Sequence, residues 1–539
     1  MLPNNIRYFI LITGFCGFTF AQSLQFDWSG QFGLETQGGR TLWNRTWASG
    51  PVIMDGTFAY FPKRYGNLVS KDFRLQTAAS FPVLRALPDS QKVTSYLDYT
   101  RGDFLLDELE IGLRSADSNS RKYFGMFKRD FAGREGQFLV PYAEMPIQQS
   151  YKMDYTSKST GNSLDVSVIR LITDVGLPDD SSAETGRYTD EILSGGFLLK
   201  NDSDKYCWTL NGSQFNQKLM TNVLAYPDLG YLRLNRTSIH GRLTVKNTDF
   251  PVDHFGLNSQ FQSIGDSSIS SLGWNTVYAG LDGKGWVANA GFTVPADLKE
   301  SQIYGEVNVI AGWNGWNISA NALLESSPRH YMERMARPGS QFETWYSGGL
   351  SAGKTWASFE LTGKFFAGIR EEDGFEEPYI SMGPAWKWEL YRRWIFSGEM
   401  VYSPNPIPES DGIGLRANIG IQGTEWLFRE NMLTTFYLWA DAAGMRSKSN
   451  AFHPVLHRPV SIGSETAAED FGILNFRIDA VISSVLIRYQ ILNILNASYP
   501  TISGWFSDLD EESTFFHANP FFPKLGRRVS FSITWQFNN

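Results

Sequence analysis

Cysteine is nearly absent from this chain: Cys16 and Cys207 are the only two in 539 residues. Cys16 lies in an apolar run from Tyr8 to Phe20 that follows Arg7 and ends on Thr19-Phe20-Ala21, a small-x-small cleavage signature. The run is too short for a comfortable spanning helix, so it reads as a secretory signal, 1–21, with the mature chain, 22–539, beginning near Gln22. Bulky Phe15 stands before Cys16 where lipid attachment wants a small residue. One thiol, Cys207, then survives cleavage, and no intramolecular disulfide can brace the exported protein.

Excess positive charge is missing too. The formal net charge is −8, and loss of Arg7 leaves 47 basic against 56 acidic residues, −9. A phosphate backbone needs a concentrated positive field, which excludes nucleic acid as the expected partner. Long apolar runs end with the signal, and mean hydropathy is only −0.26. No long helical stripe, glycine-rich phosphate loop, paired cysteine ligands or catalytic triad stands out, so no enzyme activity, catalytic residue, metal or cofactor is expected.

What is present is a period of two. Leu24, Phe26, Trp28, Phe32 and Leu34 alternate with Gln25, Asp27, Ser29, Gln31 and Glu35. The same alternation returns in Phe359, Leu361 and Phe365 against Ser358, Glu360 and Lys364, and in Phe476, Ile478, Ala480 and Ile482 against Arg477 and Asp479. Such strands have one apolar and one polar face and average to neutral hydropathy, as the wall of a transmembrane barrel does. Aromatics at 15% and 50 glycines suit interface girdles and tight turns.

The spacing of the connections separates a membrane barrel from a soluble sandwich, because outer-membrane barrels alternate short periplasmic turns with longer outside loops. Short turns are predicted near 116–121, 201–204, 282–285, 313–316 (with Asn314-Gly315), 352–355, 391–393 and 483–484. Between them fall longer segments rich in Pro, Gly, Asp and Ser: 132–148, 175–190, 218–231, 326–341, 403–412, 442–470 and 497–525. These are assigned to the cell exterior. The fold class is therefore all-β, a single large antiparallel transmembrane barrel. Counting gives 21 strands from 104 onward, plus three near 24–36, 70–82 and 91–101 for about 24; a single strand before 104 gives 22. Trp313, Trp316, Trp356, Trp386, Trp388, Trp394 and Tyr402 fall at strand ends, where an amphipathic ring gains by sitting among headgroups.

The last strand, Val529-Ser-Phe531-Ser-Ile533-Thr-Trp535-Gln-Phe537, resembles the signal read by the barrel-assembly machinery, although Asn538 and Asn539 follow its aromatic pair. Upstream, Asn493-Ile-Leu-Asn-Ala-Ser-Tyr499 and Leu525-Gly526-Arg527 resemble the closing segments of TonB-dependent receptor barrels, with Leu525 where that family has proline. The resemblance is specific over roughly the last 60 residues. It implies a large receptor-type barrel in the outer membrane of a double-membraned, Gram-negative type bacterium, in contact with lipid and lipopolysaccharide. That family carries a plug and an energy-coupling box before its barrel. Here strand-like alternation starts at Leu24, so the expectation is a barrel without its own plug, with a separate plug or surface protein as a candidate partner.

Inward-facing assignments carry both signs: Glu108, Glu110, Glu360 and Asp479 against Lys364, Lys387, Arg416 and Arg477 lead the set, joined by Asp27, Glu35, Glu306, Glu389, Glu399, Arg114, Arg488 and Arg528. They read as a polar solute path or as cross-strand ion pairs that stiffen the wall. Two basic loops are candidate ligand sites: Arg329, Arg334 and Arg337 in one, and Arg446, Lys448, His453, His457 and Arg458 in the other. Pro454 and Pro459 oppose the helix that would let His453 and His457 share a metal. Gly349-Leu-Ser351-Ala-Gly353 matches the nucleophile-elbow string, but the elbow needs a strand-to-helix turn, and here the string leads into the tight turn predicted at 352–355. The expected function is a channel or receptor-type transporter for passage or capture of solutes. The alternative is a non-conducting surface barrel whose loops bind a ligand or partner.

Overall fold

The computed structural model describes residues 34–37, 40–43, 92–132, 147–179, 182–221, 231–245, 252–265, 270–295, 302–328, 342–372, 375–391, 393–404, 413–446, 450–453, 458–461, 470–496 and 526–538. All regular structure in them is β-strand. Antiparallel strands from Lys92–Gly102 to Arg528–Asn538 form one closed barrel of 22. Each wall strand pairs with the wall strand that follows it, and the last returns to the first, with Ser530 opposite Gly102 and Asn538 opposite Thr94. Closure leaves no edge, which a sheet in hydrocarbon requires, because lipid offers nothing to a free N–H or C=O.

The smaller of the two strand counts is the observed one. Direct pairing of Arg528–Asn538 with Lys92–Gly102 leaves no gap for two further strands. Leu34–Gln37 and Arg40–Trp43 instead make a two-stranded sheet of their own, and 70–82 lies outside the described residues. Leu24 itself lies outside the described residues, and Glu35, taken as lumenal, belongs to that separate hairpin.

Short and long connections alternate along much of the chain, although the links after Lys92–Gly102, Asn162–Asp179 and Phe359–Glu372 are short where long ones were expected. At one end, shared by Lys92 and Asn538, the strands turn at 117–119, 203–205, 284–285, 314–315, 392–393 and 483–484. Further turns at 160–161, 356–358 and 428–431, and the link from Val245 to His254, lie at the same end. Asn314 and Gly315 have φ of 49° and 79°, the paired left-handed conformation that a two-residue hairpin needs to match strand twist. In the 117–119 turn Asp117 accepts bonds from the Ser120 hydroxyl (2.7 Å) and the backbone N–H groups of Asn119 (2.8 Å) and Ser120 (2.6 Å). The Ser120 hydroxyl, helped by those amides, holds this carboxyl below the ordinary range.

Two predicted connections move. Strand Phe342–Thr355 runs through 352–355, and the turn comes at 356–358, because Trp356 and Phe359 pair across it. Ser351 therefore sits mid-strand opposite Ser319 and Lys364, far from any strand-to-helix elbow. The segment 175–190 is not a long loop: Asn162–Asp179 and Ser182–Asp202 pair almost to their tips.

The wall is inside out relative to a soluble protein. In Ser120–Asp130, Phe124 is 39% exposed while inward Arg129 is 1% exposed. In Tyr231–Val245, Ile239 is 54% exposed between buried Ser238 and His240. Large apolar side chains cover the outer face, while the inner face mixes covered polar groups with buried Ile169, Phe215, Leu219 and Leu234; an apolar exterior is stable only where the surroundings are lipid. At the short-turn end Trp313, Trp356, Trp388, Trp426 and Trp535 are all exposed and form an interfacial girdle, with the Lys354 ammonium 5.5 Å from the ring centres of both Trp316 and Trp356.

Adjacent positions should thus respond oppositely to charge. Leu350→Arg, on the lipid face, is expected to cost about 2–4 kcal/mol, whereas inward Ser351→Arg costs well under half of that. Urea unfolding from vesicles, followed by tryptophan fluorescence, checks the contrast.

Candidate functional site: the polar inner wall

Because side chains alternate across each strand, the inner face is assembled from every second residue, and register decides which polar groups meet. Three clusters result.

The first lies beside the closing strand. Register places Asp98 opposite Glu110 and Thr100 opposite Glu108 on the inner face. Arg129, on the next strand, meets Glu108 at 2.9 Å with both buried, and its guanidinium lies 5.2 Å from the centre of the Phe131 ring. The Tyr96 hydroxyl donates to Glu110, and the Thr534 hydroxyl donates to Asp98 at 2.7 Å. Arg114 stacks over Tyr123 at 5.3 Å.

A second cluster joins Met432–Arg446, Phe471–Ile482 and Val485–Leu492. Arg477, fully buried, packs 4.0 Å from the centre of the Tyr437 ring and reaches Asp479 at 3.2 Å. Arg488 binds the same carboxylate through Nε (2.9 Å) and Nη2 (3.4 Å). Asp441 accepts from Trp439 Nε1 and Asn475 Nδ2, both at 2.9 Å, and from Asn418 Nδ2 at 2.5 Å.

The third was missed in the sequence apart from Glu306. His254 shares a 2.6 Å bond with Asn289 Oδ1; Asn289 Nδ2 donates to Glu306 at 3.0 Å; Tyr304 and Asn308 donate to the same carboxylate at 2.8 and 2.6 Å. His240 lies 3.1 Å from the Tyr278 hydroxyl and from Asn211 Nδ2. The available signal was parity: His240 is in phase with inward Ser238 and Leu234.

Glu108, Glu110, Arg477 and Asp479 thus face inward and are engaged in these clusters. Glu360, Lys364 and Lys387 form a separate group: Glu360 is opposite Lys387, and Lys364 lies between Ser351 and Gly383. Near the short-turn end these charges are wetter, with Lys387 47% and Glu389 60% exposed at 3.7 Å separation. Arg416 is placed by its backbone opposite Val401 and Ala443. Of the basic loops, Arg329, Arg334, Arg337, Lys448 and His457 lie outside the described residues. Arg446 ends its strand, and His453 is paired with Arg458 in the hairpin Asn450–His453 with Arg458–Ser461, so the segment is a strand pair there. The structure does not bring the loop cations to the inner-wall clusters among the described residues.

Where two carboxylates or two guanidinium groups approach, an opposite charge or a hydroxyl intervenes. The wall carries charges of both signs, with Glu306 held by the neutral donors Asn289, Tyr304 and Asn308. It can bind water and polar solutes weakly along its length without the field that selects one sign of ion.

No family profile matches the chain, and no curated protein matches it by sequence. Solved structures do match. The FrpB iron transporter from Neisseria meningitidis (F3-3 variant) aligns with TM-score 0.62 at 12% identity, over 85% of this chain and 83% of that one. The ferric yersiniabactin uptake receptor FyuA from Yersinia pestis gives 0.58 at 10% identity, over 84% and 81%. The siderophore receptor PiuA from Acinetobacter baumannii gives 0.55 at 9% identity, over 83% and 82%. At such identities the likeness speaks for architecture: this chain has the fold of the barrels of TonB-dependent receptors of Gram-negative outer membranes.

Proposed function

We propose that this protein is an outer-membrane barrel for passage or capture of polar solutes, receptor-like in architecture and acting without a plug domain of its own. The observation that carries the reading is a closed wall of 22 strands whose inner face carries many buried polar groups and charges of both signs. A barrel this wide exceeds the size at which an aqueous channel is left. The plugless part rests on the sequence alone. The matched structures are named for iron transport or siderophore uptake, which puts ferric chelates among the first solutes to test.

A non-conducting, ligand-binding barrel is the second reading, and burial favours it. Arg129, Glu306 and Arg477 are 1%, 3% and 0% exposed, whereas a freely flooded lumen would wet them.

Single-channel conductance of the folded protein in a planar bilayer separates the two. Large, steady, weakly selective openings are expected for a passage barrel. Silence that persists after trypsin has trimmed the loops overturns passage and leaves loop-based capture; silence relieved by trimming means a wide barrel held shut by its own loops.

A further inference from the structure

The outer wall carries a patch that the lipid-facing pattern does not predict. On Tyr206–Thr221 the inward residues Phe215, Gln217 and Leu219 are at most 2% exposed, so Lys218 faces out. On Tyr231–Val245 the inward pair Leu232 and Leu234 puts Arg233 outside as well. Register sets Lys218 directly opposite Arg233. Cβ atoms of such pairs lie about 5 Å apart, and like charges there repel.

The surroundings add to the imbalance. Lys218 Nζ is 3.9 Å from Glu191, but Arg170 already holds that carboxylate at 2.6 Å. One carboxylate thus serves two cations, Arg170 and Lys218, and Arg233 has no ion-pair partner among the described residues. The Lys218 and Arg170 side chains are 52% and 50% exposed, and Arg233 is exposed too.

Height on the wall points to the ligand. Below the cations come Asn216 opposite Asn235 and Gln214 opposite Thr237, with Thr237 donating to Gln214 and Gln214 to Asn216; then exposed Ile239, Leu210 and Phe197; then Tyr206 at the short-turn end. Tyr206 to Lys218 spans roughly 30 Å along the membrane normal at ~3.3 Å per residue and ~40° tilt. That is about one hydrocarbon thickness. The cations stand where headgroups of the far leaflet begin, at the end carrying the long connections.

We propose that Lys218 and Arg233, assisted by Arg170, bind the phosphate of a phosphorylated outer-leaflet glycolipid headgroup. An anion bridging the opposed pair turns their repulsion into two charge-assisted bonds. The assignment depends on the long connections facing outward and is independent of whether the lumen conducts.

The test uses the full-length, folded protein in detergent, with native mass spectrometry counting bound lipid A and heat-modifiable gel migration confirming the fold. Wild type is expected to bind phosphorylated lipid A at least roughly tenfold more tightly than its dephosphorylated form, and Lys218→Gln to erase most of that preference. Arg233→Glu creates an opposite-charge pair with Lys218, so it should raise the lipid-free melting midpoint while abolishing the preference. Equal binding of the two lipids by wild type, or unchanged binding by both variants, overturns the proposal. Displacement by equimolar inorganic phosphate also overturns it, revealing a free-anion site instead.

Discussion

Deletion of Arg528–Asn538 is expected to abolish the folded, heat-modifiable barrel altogether. This strand pairs on one side with Val485–Leu492 and on the other with Lys92–Gly102. Without it two strands present unpaired backbone groups to hydrocarbon, each costing several kcal/mol. Their sum far exceeds the roughly 5–15 kcal/mol net stability typical of folded domains. Nor can the barrel close on 21 strands, since an antiparallel ring needs an even number: Lys92–Gly102 and Val485–Leu492 would meet parallel. Replacing Leu34–Trp43 by a Gly/Ser linker of equal length is the matched control, and it should leave heat modifiability intact. Loss of the folded band in the control, or its survival without Arg528–Asn538, would contradict closure on 22 strands.

The second large effect is expected at Asp479. Its carboxylate lies between Arg477 at 3.2 Å and Arg488 at 2.9 Å, and Arg477 is fully buried against Tyr437. Asp479→Ala removes the shared counter-ion and leaves two guanidinium groups facing one another in a covered site. Breaking a buried pair from one side costs about 3–5 kcal/mol, so a urea midpoint shift of that size is expected. Arg477→Met in the same background should recover much of the loss, because a well-packed apolar side chain can replace a buried ion pair at little cost. If Asp479→Ala unfolds like wild type, the second cluster is not structural and its charges are free to serve a solute.

The same residues show how far parity reasoning goes. Arg477 and Asp479 were assigned to the lumen because Phe476, Ile478 and Ala480 alternate with them, and a period of two survives whatever the neighbours are. That Asp479 answers to Arg488 nine positions away depends on a hairpin at 483–484, where the sequence predicts a short turn and where Ser483 takes φ of 54°. The cluster around Glu306 was not legible. His254, Asn289 and Glu306 come from three different strands, and their meeting follows from accumulated register across several hairpins, each unknown by a residue or two. The cation pair Lys218 and Arg233 was hidden for the same reason.

Leu34 and Glu35 show the opposite failure. Alternation there was real, yet only pairing decides membership of a wall, and the partner of Lys92–Gly102 proved to be the last strand in the chain. Likewise the string around Ser351 was read as entering a turn, whereas strand continued until Trp356 because the pairing of Phe342–Thr355 with Phe359–Glu372 placed it there.

Local chemistry alone settled the all-β class, the alternating faces, the alternation of short and long connections and the apolar exterior, since each follows from side-chain period and turn residues within a few positions. Strand number, the closing pair and the polar contacts of the inner wall were settled only in three dimensions. Those depend on register summed around a closed ring, and a ring has no local signature.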